Sequence, residues 1–467
     1  MVQQSSQAMQ SLRAKPVNRR NARLTSLAHM KVADVALLGS VVLLPFQQAA
    51  TLNVGFPLKL SEIFAALGIA LLVLEGRGRV RRNPTQGLMA ALGLLVLLSL
   101  LRTELTSSDG EAPGYSLGLA FDGFVYAGYA VLALVLAYSL STYLEVGRLV
   151  RAYLLGIRLA TAYAVVQVGL WFAGSNLLAT INGATQTGTL YGFSFPRNGP
   201  FLEGNYFGFF AAGGLFIAMY AKDKLGIVLS AVLVIYSQSS GATLGAVVGL
   251  LVLVALRPQV KTTSVISFIA VVAVIAATSI PAIGLYAQRQ LIKIGLSQNT
   301  LNESLGYSIR SRSANADTGF AMGFGNPLLG VGPGRYGVNY FEYLDTTGLP
   351  AGFGRRAVRP IANNVYAHIA SELGLIALAI FGAMLLILLV RAYRKSGPVF
   401  GLMAYISVAM VAAPAWTGLP IWIVLAVAMA VVGGGDARSE SVTEPAQVGP
   451  MTRSLRPSRE RRIVKRY

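Results

Sequence analysis

The sequence has no cysteine among its 467 residues, two histidines, and 19 acidic residues against 39 lysines and arginines. Each scarcity removes a class of explanation. Without cysteine, neither a disulfide framework nor a thiolate metal site can hold an extracytoplasmic segment, so packing and hydrogen bonds must do it. No D-x-D pair occurs, so a divalent metal bridging a nucleotide-sugar has no obvious ligands, and neither a metal nor a cofactor is expected. Only 12% of the residues are charged, whereas 54% are hydrophobic and the mean hydropathy is +0.59, values that exclude an ordinary soluble domain. What is abundant is apolar runs of about 18 to 20 residues, the length that crosses hydrocarbon.

Twelve spans are expected, at about 32–50, 58–74, 85–101, 118–140, 152–173, 204–221, 225–237, 242–256, 264–284, 363–390, 398–413 and 419–432. The seventh and eighth are short and are divided by Ser237-Gln238-Ser239-Ser240-Gly241, which also fits two halves of a re-entrant hairpin. The expected architecture is an all-α polytopic membrane protein with one large extracytoplasmic loop between the ninth and tenth helices. A basic cytoplasmic tail (1–31) precedes nine helices (32–284). The loop domain (285–362), helices ten to twelve (363–432) and a second basic cytoplasmic tail (433–467) follow.

A net charge of +20 invites a nucleic-acid reading, but the distribution of lysine and arginine opposes it. With the N-terminus inside, most of them fall in the tails and in short cytoplasmic loops, as in GRGRVRRN and RAYRK, where they set topology. The leading tail has no acidic residue before Asp34 and reads as a solvated tail rather than a cleaved signal. The end SLRPSRERRIVKRY reads as solvated or bound to lipid headgroups, so membrane lipids are expected partners and nucleic acid is not. The exceptions are Arg289, Lys293, Arg310, Arg312, Arg335, Arg355, Arg356 and Arg359, all in the large loop. Long translocated loops escape the positive-inside rule, so these are either solvated surface or part of an anion-binding pocket against the membrane.

The same loop contains GNPLLGVGPGRYG, in which Gly332, Gly334 and Gly337 spell G-x-G-x-x-G. With Pro333 inside the motif and no strand before it, a dinucleotide-binding reading fails. Two readings remain: a tight turn that needs positive φ, or a turn whose backbone N–H groups also form a nest for phosphate.

Taken together, the Arg-Ser-Arg segment, NPLLGVGPGRYG and the helix opening NNVYAHIASELGLIAL resemble the signature of the O-antigen ligase and O-antigen polymerase superfamily. Upstream, FSFPRNGPFLEGNYFGFF is similar to that family's arginine-containing loop. The resemblance implies a polytopic enzyme of the bacterial inner membrane, with both termini cytoplasmic, acting in cell-envelope polysaccharide biosynthesis. Its donor would be an oligosaccharide on a polyprenyl (undecaprenyl) diphosphate and its acceptor a glycan or glycolipid. It places the family's functional arginines on Arg197 and Arg312, with Arg310 a near alternative. Arg335, Gly332 and Gly334 join them as diphosphate contacts, and Glu203, Asn205, Arg356 and Arg359 are auxiliary. The family's helix usually opens His-Asn, with an acidic residue and a glycine further on. Here Asn363 and Asn364 open it, with Glu372 and Gly374 in the matching places.

The chemistry asks for such residues in its own right. Transfer from a lipid diphosphate breaks an anomeric carbon–oxygen bond and leaves charge on two phosphates, which guanidinium groups meet bidentately while remaining protonated. The acceptor hydroxyl calls for a base. Asn364, His368 and Glu372 are spaced i, i+4, i+8 along one helical face, and ionisable groups inside a span are costly unless they meet a cavity or a partner. His368 and Glu372 are therefore either satisfied structural groups or the base, with Glu203 a third candidate. Two other classes compete with the enzyme: a transporter or flippase of lipid-linked glycans, and a catalytically dead scaffold suggested by Asn363.

Overall fold

The computed structural model describes residues 30–47, 51–53, 56–76, 83–106, 118–175, 177, 186–190, 193–256, 288, 292, 303–347, 349, 360–413 and 415–433. Helices dominate: α1 (Val32–Val42), α2 (Leu60–Leu74), α3 (Gln86–Thr106), α4 (Leu119–Tyr143), α5 (Val146–Phe172), α6 (Gly204–Ala221), α7 (Lys224–Ser237) and α8 (Ser240–Leu256). After the 257–302 region come α9 (Glu303–Gly325), α10 (Tyr336–Tyr343), α11 (Val365–Lys395), α12 (Gly397–Ala409, prolonged by a 3₁₀ turn) and α13 (Leu419–Gly433). Two antiparallel hairpins, β1 (Thr51–Asn53) with β2 (Pro57–Lys59) and β3 (Thr187–Leu190) with β4 (Phe193–Pro196), are the strands among the described residues.

Helices α3, α4, α5 and α11 are long and apolar enough to cross a membrane, and six other apolar helices are shorter. The chain is a helical membrane protein. Three expected boundaries shift for local reasons. The first span stops at Val42, because Pro45 removes a backbone donor and forces its predecessor out of helix. The fifth begins at Val146, six residues early, since Arg148 pairs with Asp34 and Glu145 instead of standing in a loop. The large loop contributes two helices of its own, α9 and α10. The expected ninth span and both tails lie outside the described residues.

Burial assigns the centre. Helix α13 is apolar on every side and buried at nearly every position, and α6 is buried almost throughout from Phe207 to Ala218, the pattern of helices enclosed by others. Polar bonds fix the threading. Asn83, ahead of α3, donates to Ser141 near the end of α4 and lies 3.5 Å from the sulfur of Met429 near the end of α13. At its other end α3 meets α11 through Ser99 and Glu372, and Glu372 in turn bonds to Trp416 ahead of α13. Thus α3 runs antiparallel to both α4 and α13. Helix α9 lies against α11 closely enough that a methyl at Gly319 or Gly323 would stand 3.0 Å from Ala367 O or 2.9 Å from Ala370 O, the small-residue contact common between membrane helices.

Candidate active site around Glu372

The site is built on a broken helix. Gly374 has φ 84° and ψ 175°, so α11 is interrupted there and the carbonyls just before it lose their helical donors. The loop 326–335 supplies replacements: Val331 N donates to Ser371 O (2.7 Å), Gly332 N to Glu372 O (3.2 Å), and Leu375 N beyond the break donates to Pro327 O (2.8 Å). Ser99 of α3 adds its hydroxyl to Glu372 O at 2.9 Å. Such contact requires glycine. Gly330 has φ 64°, and an added Cβ would lie 2.3 Å from the Glu372 carbonyl carbon. The positive-φ reading of the glycine motif is therefore met at Gly332 and Gly334, with Gly330 just ahead of them, whereas Gly337 lies inside α10 with an ordinary helical backbone.

The nest has an internal occupant. Gly334 N donates to Glu372 Oε1 at 2.9 Å and Gly332 N is on the Glu372 carbonyl, so the two backbone donors expected to cradle a phosphate hold a residue of α11 instead. Trp416 Nε1 donates to Glu372 Oε2 at 3.0 Å, and His368 Nε2 lies 3.1 Å from Oε1. Glu372 is 1% exposed and His368 3%. A carboxylate so buried requires this density of donors. His368 Nε2 also lies 3.2 Å from the hydroxyl of Tyr126 on α4, while Nδ1 is buried without a partner among the described residues. The rings of Tyr126 and Tyr336 pack on the imidazole. Burial, and then neighbouring Tyr340, push the Tyr336 phenol well above its ordinary value, so it remains a neutral donor to Asn315 O.

Cations surround this core at different depths. Arg335, 4% exposed, pairs with Glu104 at the end of α3 (3.0 Å), and its Nε is buried without a partner among the described residues. Arg102, exposed on the same helix, donates to Gly330 O (2.8 Å) and approaches Asn326 Oδ1 (3.4 Å).

The remaining expected residues are distributed around this core. Arg197 is half-buried and braces the α7–α8 turn, donating to Ser237 O (3.1 Å) and to Gln186 Oε1 (3.1 Å). Glu203 precedes α6 without capping it. Asn205 lines a small cavity of about 20 Å³ with Tyr206, Ser239, Ala412 and Pro420. Arg310 and Arg312 are exposed on α9, and Arg310 borders a depression of about 340 Å³ with Asp317, Tyr343 and Asp345. Asn364 caps α11, its Oδ1 accepting from Tyr366 N (2.9 Å) and Ala367 N (3.2 Å). Asn363 has φ 54°, a left-handed conformation that asparagine tolerates better than most residues. Both asparagines thus have conformational work at the helix entrance. Arg356 and Arg359 lie outside the described residues.

Four neighbours escape the motif reading: Tyr126, Trp416, Arg102 and Glu104. Their signal was weak, an aromatic, arginine or carboxylate near the end of an apolar run, and nothing in the spacing tied Tyr126, Arg102 or Glu104 to partners more than 200 residues away, or Trp416 to a carboxylate 44 residues before it.

No curated protein matches the chain. The O-antigen ligase family model matches residues 225–382, the stretch that contributes the glycine loop, the helix break and Glu372, so this part of the chain is similar to the O-antigen ligase family.

Proposed function

We propose that the protein is a membrane glycosyltransferase of ligase or polymerase type, moving a glycan from a polyprenyl-diphosphate carrier to an acceptor glycan or lipid on the extracytoplasmic face of a bacterial inner membrane. The carrying observation is the polar cluster Glu372–His368–Tyr126–Trp416, buried at a helix break within the stretch that matches the O-antigen ligase family. In this reading the chain crosses the membrane twelve times with both termini inside, and the Glu372 end of the bundle faces out.

The acceptor oxygen attacks the anomeric carbon, the bond from that carbon to the diphosphate oxygen breaks, and the diphosphate leaves with the electron pair. Arg197, Arg312 and Arg310 meet the charge on the leaving phosphates, and the reaction uses these cations in place of a metal. Arg335, paired with Glu104, anchors the glycine loop beneath them. Glu372, enclosed by three donors, holds the glycine loop and His368 in place. The acceptor proton passes to His368 or to solvent, and Asn363 orients a substrate through its amide.

The test is reconstitution in liposomes with a polyprenyl-diphosphate oligosaccharide and a glycan acceptor, with and without chelator. Release of polyprenyl diphosphate together with a longer or newly attached glycan is expected in both. If the lipid-linked glycan merely changes leaflet, with no new linkage, the enzyme reading fails and a transporter replaces it.

A further inference from the structure

Helices α3 and α4 carry a crevice that the chemistry above does not use. Apart from Gln86 at the start of α3, Met89, Ala90 and Gly93 of α3 and Val131, Leu134 and Tyr138 of α4 line it, and it offers about 310 Å³. Both helices are long and apolar enough to cross a membrane, and only 33% of each apolar window is buried inside the protein, so their outer faces meet hydrocarbon. A crevice at that depth takes an aliphatic chain, since polar ligands would lose their hydrogen bonds there.

The same two helices lead from the crevice to the Glu372 cluster. On α3, Ser99 bonds to Leu329 O and Glu372 O, and Glu104 pairs with Arg335. On α4, a Cβ at Gly123 would stand 3.0 Å from Glu104 Oε1, and Tyr126 reaches His368. Arg102 stands exposed at this end, about 14 Å along α3 from Gly93. Guanidinium groups at one end of an apolar seam match a ligand with a phosphate head and a long hydrocarbon tail.

We infer that the α3–α4 crevice binds the isoprenoid tail of the lipid-linked donor and directs its diphosphate toward the exposed Arg102. The inference rests on the proposed function, which supplies a donor of this shape. A bulk phospholipid is the less fitting occupant, because its head would then sit against the reacting loop.

Gly93 offers a clean perturbation. A Cβ there would meet only Leu134 Cδ1, at 4.0 Å, so a larger side chain fills the crevice without displacing backbone. Gly93→Phe, with Ala90→Phe as a second variant, is compared with the parent on two donors carrying the same glycan, one with a long polyprenyl tail and one with two isoprene units. KM for the long-tailed donor should rise about tenfold, the loss expected from about two buried methylenes, with KM for the short-tailed donor unchanged. Equal effects on both donors, or none on either, overturn the inference. Should the parent transfer neither donor, the enzyme reading fails separately. The crevice is then decided by a diazirine-bearing polyprenyl diphosphate: labelling of α3 and α4 that polyprenyl phosphate displaces and phosphatidylglycerol does not supports it. No labelling there, or equal displacement by phosphatidylglycerol, overturns it.

Discussion

Replacing Gly330 with alanine should separate the glycine loop from α11, and the structure sets the size of the effect. At φ 64° an alanine costs about 1–2 kcal/mol on conformation alone. Steric overlap costs more. The new Cβ would lie 2.3 Å from the Glu372 carbonyl carbon, 2.5 Å from Leu373 N and 2.5 Å from Ser371 O, all backbone atoms that no rotamer change can move aside. The loop must retreat, stretching the bonds from Val331 N to Ser371 O and from Gly332 N to Glu372 O and loosening Gly334 N from the carboxylate. Each buried partner left unsatisfied costs about 1–3 kcal/mol, so the whole change should cost about 3–6 kcal/mol. Gly382→Ala is the control: nothing lies within 4 Å of its added Cβ, and in a helix interior it should be neutral or stabilising by up to about 1 kcal/mol. Thermal unfolding in detergent, followed by tryptophan emission, reads both, because Trp416 bonds directly to Glu372. A Gly330→Ala protein with the parent's melting temperature and transfer rate would show that the loop–helix contact does not hold the site.

Arg312→Lys should lose most transfer activity at matched protein level, since an ammonium cannot reproduce the planar fork; parent-like activity would make Arg312 plain surface. Asn364→Ala should destabilise by about 1 kcal/mol through loss of the α11 cap, with Asn364→Asp close to the parent in the same unfolding assay. Asn363→Gly should be tolerated and Asn363→Ala should cost about 1–2 kcal/mol, in keeping with the left-handed backbone; equal stability of the two would contradict that conformation. Glu372→Gln puts an amide NH₂ against an N–H donor in either orientation and should cost about 1–3 kcal/mol as well as activity. If Glu372→Gln and His368→Gln both keep the parent's rate, with flat pH profiles from about 5.5 to 8, neither residue takes part in proton uptake.

Much of the helical layout was legible because an apolar run is a local property. The runs near 60–74, 86–106, 119–143, 204–221 and 419–433 carry helices close to their expected limits. What composition could not give is the break at Gly374, since a glycine within an apolar stretch is common and its φ of 84° depends on a loop arriving from residue 327. The i, i+4 spacing placed His368 and Glu372 together correctly, because helix geometry alone decides it. Tyr126, Trp416 and Glu104 reach the cluster through tertiary packing of α3, α4 and the segment ahead of α13, for which a single sequence carries no periodic signal.

The occupant of the glycine nest changes the electrostatic division of labour. Two phosphates leaving with negative charge would repel a bare carboxylate, yet Glu372 lies directly beneath the loop that carries Arg335. Its charge is met by Trp416 Nε1, Gly334 N and His368, and it is 1% exposed, so its oxygens are turned inward. Arg335 is likewise offset by Glu104. The buried layer therefore offers the phosphates no surplus cation and mainly fixes geometry, a role suited to residues that cannot move. The exposed cations lie further out: Arg310 and Arg312 on α9 and Arg102 on α3 have no ion pair among the described residues, and in the proposed reading a membrane-borne diphosphate reaches them without first being stripped of all its water. A rigid floor without surplus cations beneath an exposed cationic rim fits a large anionic lipid better than a buried cationic pocket would, because the desolvation of both partners is deferred until the phosphate is already paired.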